Sequence, residues 1–168
     1  MTASNLQIVQ NAWKAFGTYD PERIAEVFTE DAEWHAPPGN ATAIALEGPN
    51  RLVGREAIVR FLAEDFRKLF VSDVSLEFHG FHPAGDTVVV EETMTAKLPD
   101  GSVYSNDYCF LFLVSEGRIH RVREYMDTAR GHRQLEGIRP LSRAPRVGRS
   151  SSRTWRSGHT ALHEPRPQ

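Results

Sequence analysis

The chain has 168 residues, 40% of them hydrophobic, with three Trp and nine Phe, enough for one domain whose core needs no covalent staples. The lone Cys109 excludes an internal disulfide framework and a cysteine-based zinc cluster; with no charged-then-apolar leader and no apolar run of membrane-spanning length, a cytoplasmic protein is expected. The net charge of -2 hides an uneven split: Ile138 to Gln168 hold seven Arg, no Lys and one Glu (+6), leaving 13 basic and 21 acidic residues (-8) before them, and an acidic body argues against nucleic-acid binding.

A first helix is announced by Ser4-Asn5-Leu6-Gln7, a capping-box pattern, and carries an apolar stripe of Leu6, Val9, Trp13 and Phe16 up to Gly17. Asp20-Pro21 opens a second, shorter helix with Ile24, Val27 and Phe28 on its buried side. A short strand, Glu30 to Ala36, is stopped by Pro37-Pro38. Gly39 to Leu52 mixes Gly, Asn, Pro and small apolar residues and is expected to be a loop or flap near an opening. Gly54-Arg55-Glu56 starts a third helix with Ile58, Phe61, Leu62, Phe66, Leu69 and Phe70 on one side.

Four strands then follow as a meander, Asp73 to Phe81, Thr87 to Lys97, Ser102 to Val114 and Arg118 to Asp127, joined by short turns rich in Pro, Gly and Asp. Asp127 to Gly137 is expected to form a last short helix. From residue 138 onward the chain is Pro, Ser and Arg with almost no apolar spacing, a composition that predicts disorder. The sharper reading of its arginines is a tail for nucleic acid or an acidic partner, yet nothing in it interleaves aromatics with charge. The predicted fold class is α+β: a strongly curved antiparallel sheet around three helices, leaving a conical, mostly apolar hollow of the kind that binds small molecules.

Alternation along the last strand places His120, Val122, Glu124 and Met126 on one face and Ile119, Arg121, Arg123, Tyr125 and Asp127 on the other. A carboxylate between Val122 and Met126 on a core-facing strand loses solvent, which raises its pKa and suits it to acid/base work near neutrality. The competing reading puts Glu124 on the solvated face, paired with an arginine. Glu91 and Glu92 fall on opposite faces of their strand, so one points inward; two carboxyls in one apolar cone would push their pKa values apart. His35 is a proton relay or a mouth-lining histidine. Trp13, Trp34 and Tyr108 are candidates to stack on a planar substrate or are ordinary core. No His or carboxylate pair shows metal-ligand spacing.

The motifs Phe28-Thr29-Glu30-Asp31-Ala32-Glu33-Trp34, Gly54-Arg55-Glu56-Ala57-Ile58, Glu116-Gly117-Arg118-Ile119 and Arg123-Glu124-Tyr125-Met126-Asp127 followed by Arg133-Gln134-Leu135 resemble the SnoaL-like group of the nuclear-transport-factor-2-like superfamily. That superfamily also holds ketosteroid isomerase, limonene epoxide hydrolase, the polyketide cyclases and phenazine-biosynthesis proteins, and the resemblance covers about Ser4 to Gly137. Ketosteroid isomerases place an Asp base where this chain has Ala36, and their helix-1 tyrosine falls near Ala12 or Trp13. The epoxide hydrolase would need an Arg and an Asp on the strand that here offers Glu91, Glu92 and Thr93.

Glu124 coincides with the acid/base Glu of the phenazine proteins, Asp127 resembles a polyketide-cyclase Asp, and Asn106 matches an Asn-containing strand start. The resemblance therefore implies a cofactor-independent enzyme acting on an aromatic or polyketide-like carbonyl compound, by cyclisation, isomerisation or dehydration. Glu124, Asp127 and His35 are its catalytic candidates. Trp13, Trp34, Glu92, Asn106, Tyr108 and Met126 are its substrate contacts, no metal or cofactor takes part, and a homodimer forms through the outer sheet face. A non-catalytic ligand-binding or protein-interaction module of the same fold is the alternative.

Overall fold

Helix α1 (Asn5–Phe16) begins where Ser4 accepts the Gln7 amide, at 3.2 Å. Only half of the expected capping box forms, because the Gln7 side chain turns to Asn11 instead. The chain is seen here in a computed structural model that describes residues 3–147. After α1 the left-handed position falls on Tyr19 (φ 56°), while Gly17 stays right-handed. Asp20 then caps α2 (Pro21–Glu26) through the amides of Glu22 and Arg23.

Strand β1 (Phe28–His35) turns Phe28, Ala32 and Trp34 into the core. The expected loop from Gly39 to Leu52 contains order of its own. Asn40, buried and bonded to the Ala43 amide, caps α3 (Ala41–Ala45), and β2 (Arg51–Val53) pairs antiparallel with β1. The third predicted helix is three segments in one: α4 (Arg55–Arg60), a π-helical turn (Phe61–Asp65) and α5 (Phe66–Leu69). A π turn adds one residue to the repeat. The sequence shows no break there, so the widening is visible only in the structure.

β3 (Ser72–Ala84), β4 (Thr87–Lys97), β5 (Val103–Ser115) and β6 (Arg118–Met126) form the predicted meander. The six strands lie in the order β2-β1-β6-β5-β4-β3, with β1 parallel to β6 and the rest antiparallel, as a curved sheet that does not close. The turn between β5 and β6 has both central residues, Glu116 and Gly117, at positive φ, as tight hairpins require. Helix α1 lies across β3 to β6 inside the curve. Trp13 meets Phe16, Phe78, Phe110 and Phe112 edge-on, with ring centroids 5.2 to 5.7 Å apart.

One prediction about facing fails. Strict alternation puts Ile119 on the face opposite Val122, yet both are fully buried, because the register slips from Leu113↔Arg121 to Val114↔Ile119. A bulge at His120 restarts the alternation. Helix α6 (Thr128–Leu135) closes the fold. Residues 138–147 run on along the domain: Ile138 packs on the core, the Leu141 amide reaches the Lys68 carbonyl at 2.8 Å, and Arg67 bonds the Pro145 carbonyl. The rest of the expected basic tail lies outside the described residues. Among the described residues no helix is long and apolar enough to cross a membrane.

Candidate functional site

The mouth of the curved sheet holds a cavity of about 120 Å³. Its walls are aromatic and come from every layer of the fold: Trp13 and Phe16 from α1, Trp34 from β1, Phe61 and Phe66 from the third helix, and Tyr108 and Phe110 from β5. Thr42 of α3 reaches it too, so the segment read as a flap does border the opening. Two carboxyls face this apolar space, Glu92 from β4 and Glu124 from β6.

Glu124 follows Val122 inward, as the restored alternation requires. The residue as a whole keeps partial exposure, but its carboxyl stands inside the cavity and Oε2 accepts the Trp34 indole N–H at 2.6 Å. Loss of water raises its pKa to about 7, against the opposing pull of the Trp34 hydrogen bond. Glu92 is 2% exposed, and burial together with the negative charge of Glu124 raises it to about 8. Its Oε2 has no hydrogen-bond partner, and neither does the buried Trp13 Nε1. Glu91, on the opposite face of β4, is exposed and meets His82 at 3.1 Å.

Tyr108 forms the floor beside both carboxyls, and burial, with neighbouring negative charge, holds its phenol well above its ordinary pKa. Its hydroxyl lies 2.7 Å from that of the fully buried Tyr104. Either hydroxyl can donate across that pair, and hydrogen accounting favours Tyr104 as the donor. Asn106 accepts the Asp107 amide through Oδ1, which fixes its amide orientation, and both Nδ2 hydrogens are spent on Tyr104 Oη (3.1 Å) and the Asp127 carbonyl (3.0 Å). Tyr104 thus receives a hydrogen bond and has only Tyr108 to give its own proton to. In that arrangement the Tyr108 hydroxyl hydrogen is left for the cavity.

The remaining sequence candidates stand elsewhere. Asn106, expected to touch substrate, does not line the cavity; its fully buried amide supports the tyrosine pair instead. Asp127 is the cap of α6, its Oδ1 bonded to the Arg130 amide at 2.9 Å, and no bulge turns it inward. His35 sits on the outer face of β1, where its Nε2 is 2.6 Å from Glu33, which also pairs with Arg51. Met126 packs partly buried against the core, outside the lining. Trp13, Trp34, Glu92 and Tyr108 do line the space, together with Glu124.

Three contributors went unseen in the sequence. Tyr104 had a signal, since it shares a face with Tyr108 four residues on. Phe61 was legible as part of the third helix's apolar side but not as a cavity wall, and Tyr19 had no signal, because their placement depends on an added residue and a left-handed turn. Among the described residues no group of three or more His, Cys, Asp or Glu is placed to hold a metal ion.

Residues 9–122 match the family described as SnoaL-like domain. No curated protein matches the chain. Among solved structures, an NTF2-like protein of unknown function from Burkholderia pseudomallei is 19% identical, with a TM-score of 0.68 over 79% of this chain and 98% of its own. TerC, solved with polyporic acid, is 24% identical with the same TM-score and coverage. A Catenulispora acidiphila protein with a ketosteroid isomerase-like fold, solved with trimethylamine, is 18% identical, with a TM-score of 0.62 over 81% of this chain and 95% of its own. At these identities the likeness is one of fold.

Proposed function

The chain belongs to the SnoaL-like domain family, whose fold includes isomerase and cyclase enzymes, and on that footing we propose that it is a cofactor-independent enzyme moving a proton next to the carbonyl of a small aromatic or polyketide-like compound. The observation that carries this reading is the Glu124 carboxyl, held in an apolar cavity by one indole hydrogen bond and raised to about 7. A base is most effective when its pKa lies near the working pH.

The steps follow from the groups present. Trp34 occupies Oε2 of Glu124, so Oε1 takes the proton from the carbon beside the carbonyl. Negative charge then grows on the carbonyl oxygen. Tyr108, whose hydroxyl hydrogen is free for the cavity when Tyr104 donates to it, and Glu92, still protonated below about pH 8, are the donors that meet it. Glu124 returns the proton to a second carbon, which is isomerisation, or to a leaving oxygen that departs as water, which is dehydration; in cyclisation the enolate carbon first bonds to a second carbonyl carbon of the same molecule, and Glu124 protonates the alkoxide so formed. The ligands named with TerC and with the Catenulispora protein, polyporic acid and trimethylamine, support a cavity for small molecules in this fold. A volume of about 120 Å³ suits a group close to one ring in size, since a ~150 Å³ apolar cavity takes up benzene.

Homodimerisation belongs to the same reading. The outer face of β5 offers Cys109, Leu111 and Leu113 beside the half-exposed Tyr125 of β6. Sedimentation of the full chain gives the mass directly.

The test is exchange of α-protons in deuterated water, followed by NMR across a panel of small aromatic and cyclic ketones. Glu124→Gln should slow exchange about 10²- to 10⁴-fold. The active form carries Glu124 ionised and Glu92 protonated, so the rate should peak between the pair's apparent values of about 7 and about 8. Unaltered exchange in the variant would leave a binding module.

A further inference from the structure

We propose that the same cavity takes up small organic ammonium ions that carry an N–H, the charge and the donor being met by Glu92 and Glu124 and the hydrocarbon part by the aromatic walls. This rests on the reading of the cavity as a small-molecule site, and extends it to a ligand class with a sign of charge.

The argument begins with an imbalance. Two carboxyls face the space, yet among the described residues no Lys, Arg or His lines it. Buried carboxylates in proteins ordinarily find a cation or a set of hydrogen-bond donors. Glu124 has a single donor, Trp34, and Glu92 Oε2 has none although the residue is 2% exposed. An unsatisfied acceptor at that depth is a place for an N–H from outside. The walls favour the same visitor. Trp13, Trp34, Tyr108 and Phe110 present π-systems whose negative faces attract a cation, most strongly where water is excluded. An alcohol of the same shape would gain the wall contacts without the charge. A carboxylate would meet the like charge of Glu124, and of Glu92 once that ionises.

The direction of the pH effect follows. The titratable side chains facing the space are Glu92 from β4, Tyr108 from β5, Glu124 from β6 and Tyr19 from the turn after α1; α1, α3, the π turn, α5 and β3 add none. The two glutamates ionise near neutrality, ahead of the Tyr108 phenol, which burial holds well above its ordinary value. A bound cation favours their charged forms, so binding tightens as pH rises and expels protons when it occurs below their pKa.

Calorimetry of the full chain with benzylammonium, benzyl alcohol and benzoate tests this. Benzylammonium should bind about ten-fold or more tighter than benzyl alcohol at about pH 8, and benzoate weakest. Its affinity should rise about ten-fold from about pH 6 to 8.5, and at about pH 6.5 the heat should differ between phosphate and Tris, as proton release demands. Glu92→Gln should remove most of the preference for the cation. Equal binding of alcohol and cation by the wild-type protein, or no binding of the cation, would overturn the proposal without recourse to any variant. The two readings fail separately. Cation preference is lost with ketone exchange intact if only this inference is wrong; exchange is absent with cation preference intact if only the proton-transfer reading is wrong.

Discussion

Trp34 is the residue on which the chemistry of Glu124 turns. Its indole N–H favours the carboxylate, because a hydrogen bond to the charged form opposes the loss of water. Removing the donor while keeping a ring should let burial act unopposed. In Trp34→Phe the Glu124 pKa is expected to climb by about one unit or more, since a hydrogen bond to a charged group contributes roughly 1.5–3 kcal/mol and one unit is about 1.4 kcal/mol. The acidic limb of the exchange profile should move to higher pH and, because Glu92 and Glu124 titrate as a coupled pair, the bell should narrow and its maximum fall. A loss of rate at all pH values with both limbs in place would make Trp34 a packing residue only. At this scale the sequence was partly legible. Glu124 could be read because Val122 and Met126 bracket it with period two. Asn106 entered as a substrate contact through its likeness to a strand start, and such a likeness gives only a position along the chain; that its amide is consumed by Tyr104 and the Asp127 carbonyl depends on where a turn returns.

Among the elements, the link between α5 and the chain after α6 reaches the cavity through one side chain. Arg67 is 8% exposed, its guanidinium 4.7 Å above the Tyr19 ring and bonded to the Pro145 carbonyl. Tyr19 is a cavity wall held at positive φ, a conformation that a bulky residue keeps only when its surroundings enforce it. Arg67→Met preserves the apolar stem and deletes both contacts. It should loosen Tyr19 and residues 138–147 together, raising amide exchange there and roughly doubling acrylamide quenching of Trp13 and Trp34 in a Trp155→Phe background. Quenching unchanged from the parent would show that the wall stands without Arg67. Elements also mark where the sequence stopped being readable. The helices and the four-strand meander were plain from caps, stripes and turns, because each is decided by neighbours in the chain. The bulge at His120 and the π turn at Phe61–Asp65 were not, since one inserted residue leaves composition untouched and is imposed by what packs against it. For β4 a usable signal existed: Val88 to Val90 cannot assign a face, but Met94 and Ala96 against Thr93, Thr95 and Lys97 place Glu92 inward.

For the molecule as a whole, two groups of carboxyls pull stability in opposite directions with pH. At the surface, hydrogen bonds from Thr93, Ser102 and His35 hold Asp107, Asp100 and Glu33 below their ordinary range, so their contribution is complete above about pH 4.5 and is lost in acid. Inside, Glu92 and Glu124 keep protons that the unfolded chain gives up near 4.5. Between that value and about 8 the native state binds more protons than the unfolded one, and stability must fall as pH rises. Thermal unfolding should therefore show its highest Tm near pH 5, with a decline of about 5–10 °C by pH 8.5. Glu92→Gln removes the more deeply buried of the two ionisations and should flatten most of that decline, leaving the variant less stable than the parent near pH 5 by little or nothing but more stable at pH 8.5. A parent protein whose Tm rises steadily from pH 5 to 8.5 would mean that the inner carboxyls are charged and compensated in the folded state. The apolar cavity would then be wetter than its walls imply, and neither a neutral Glu92 donor nor a raised Glu124 base could operate in it.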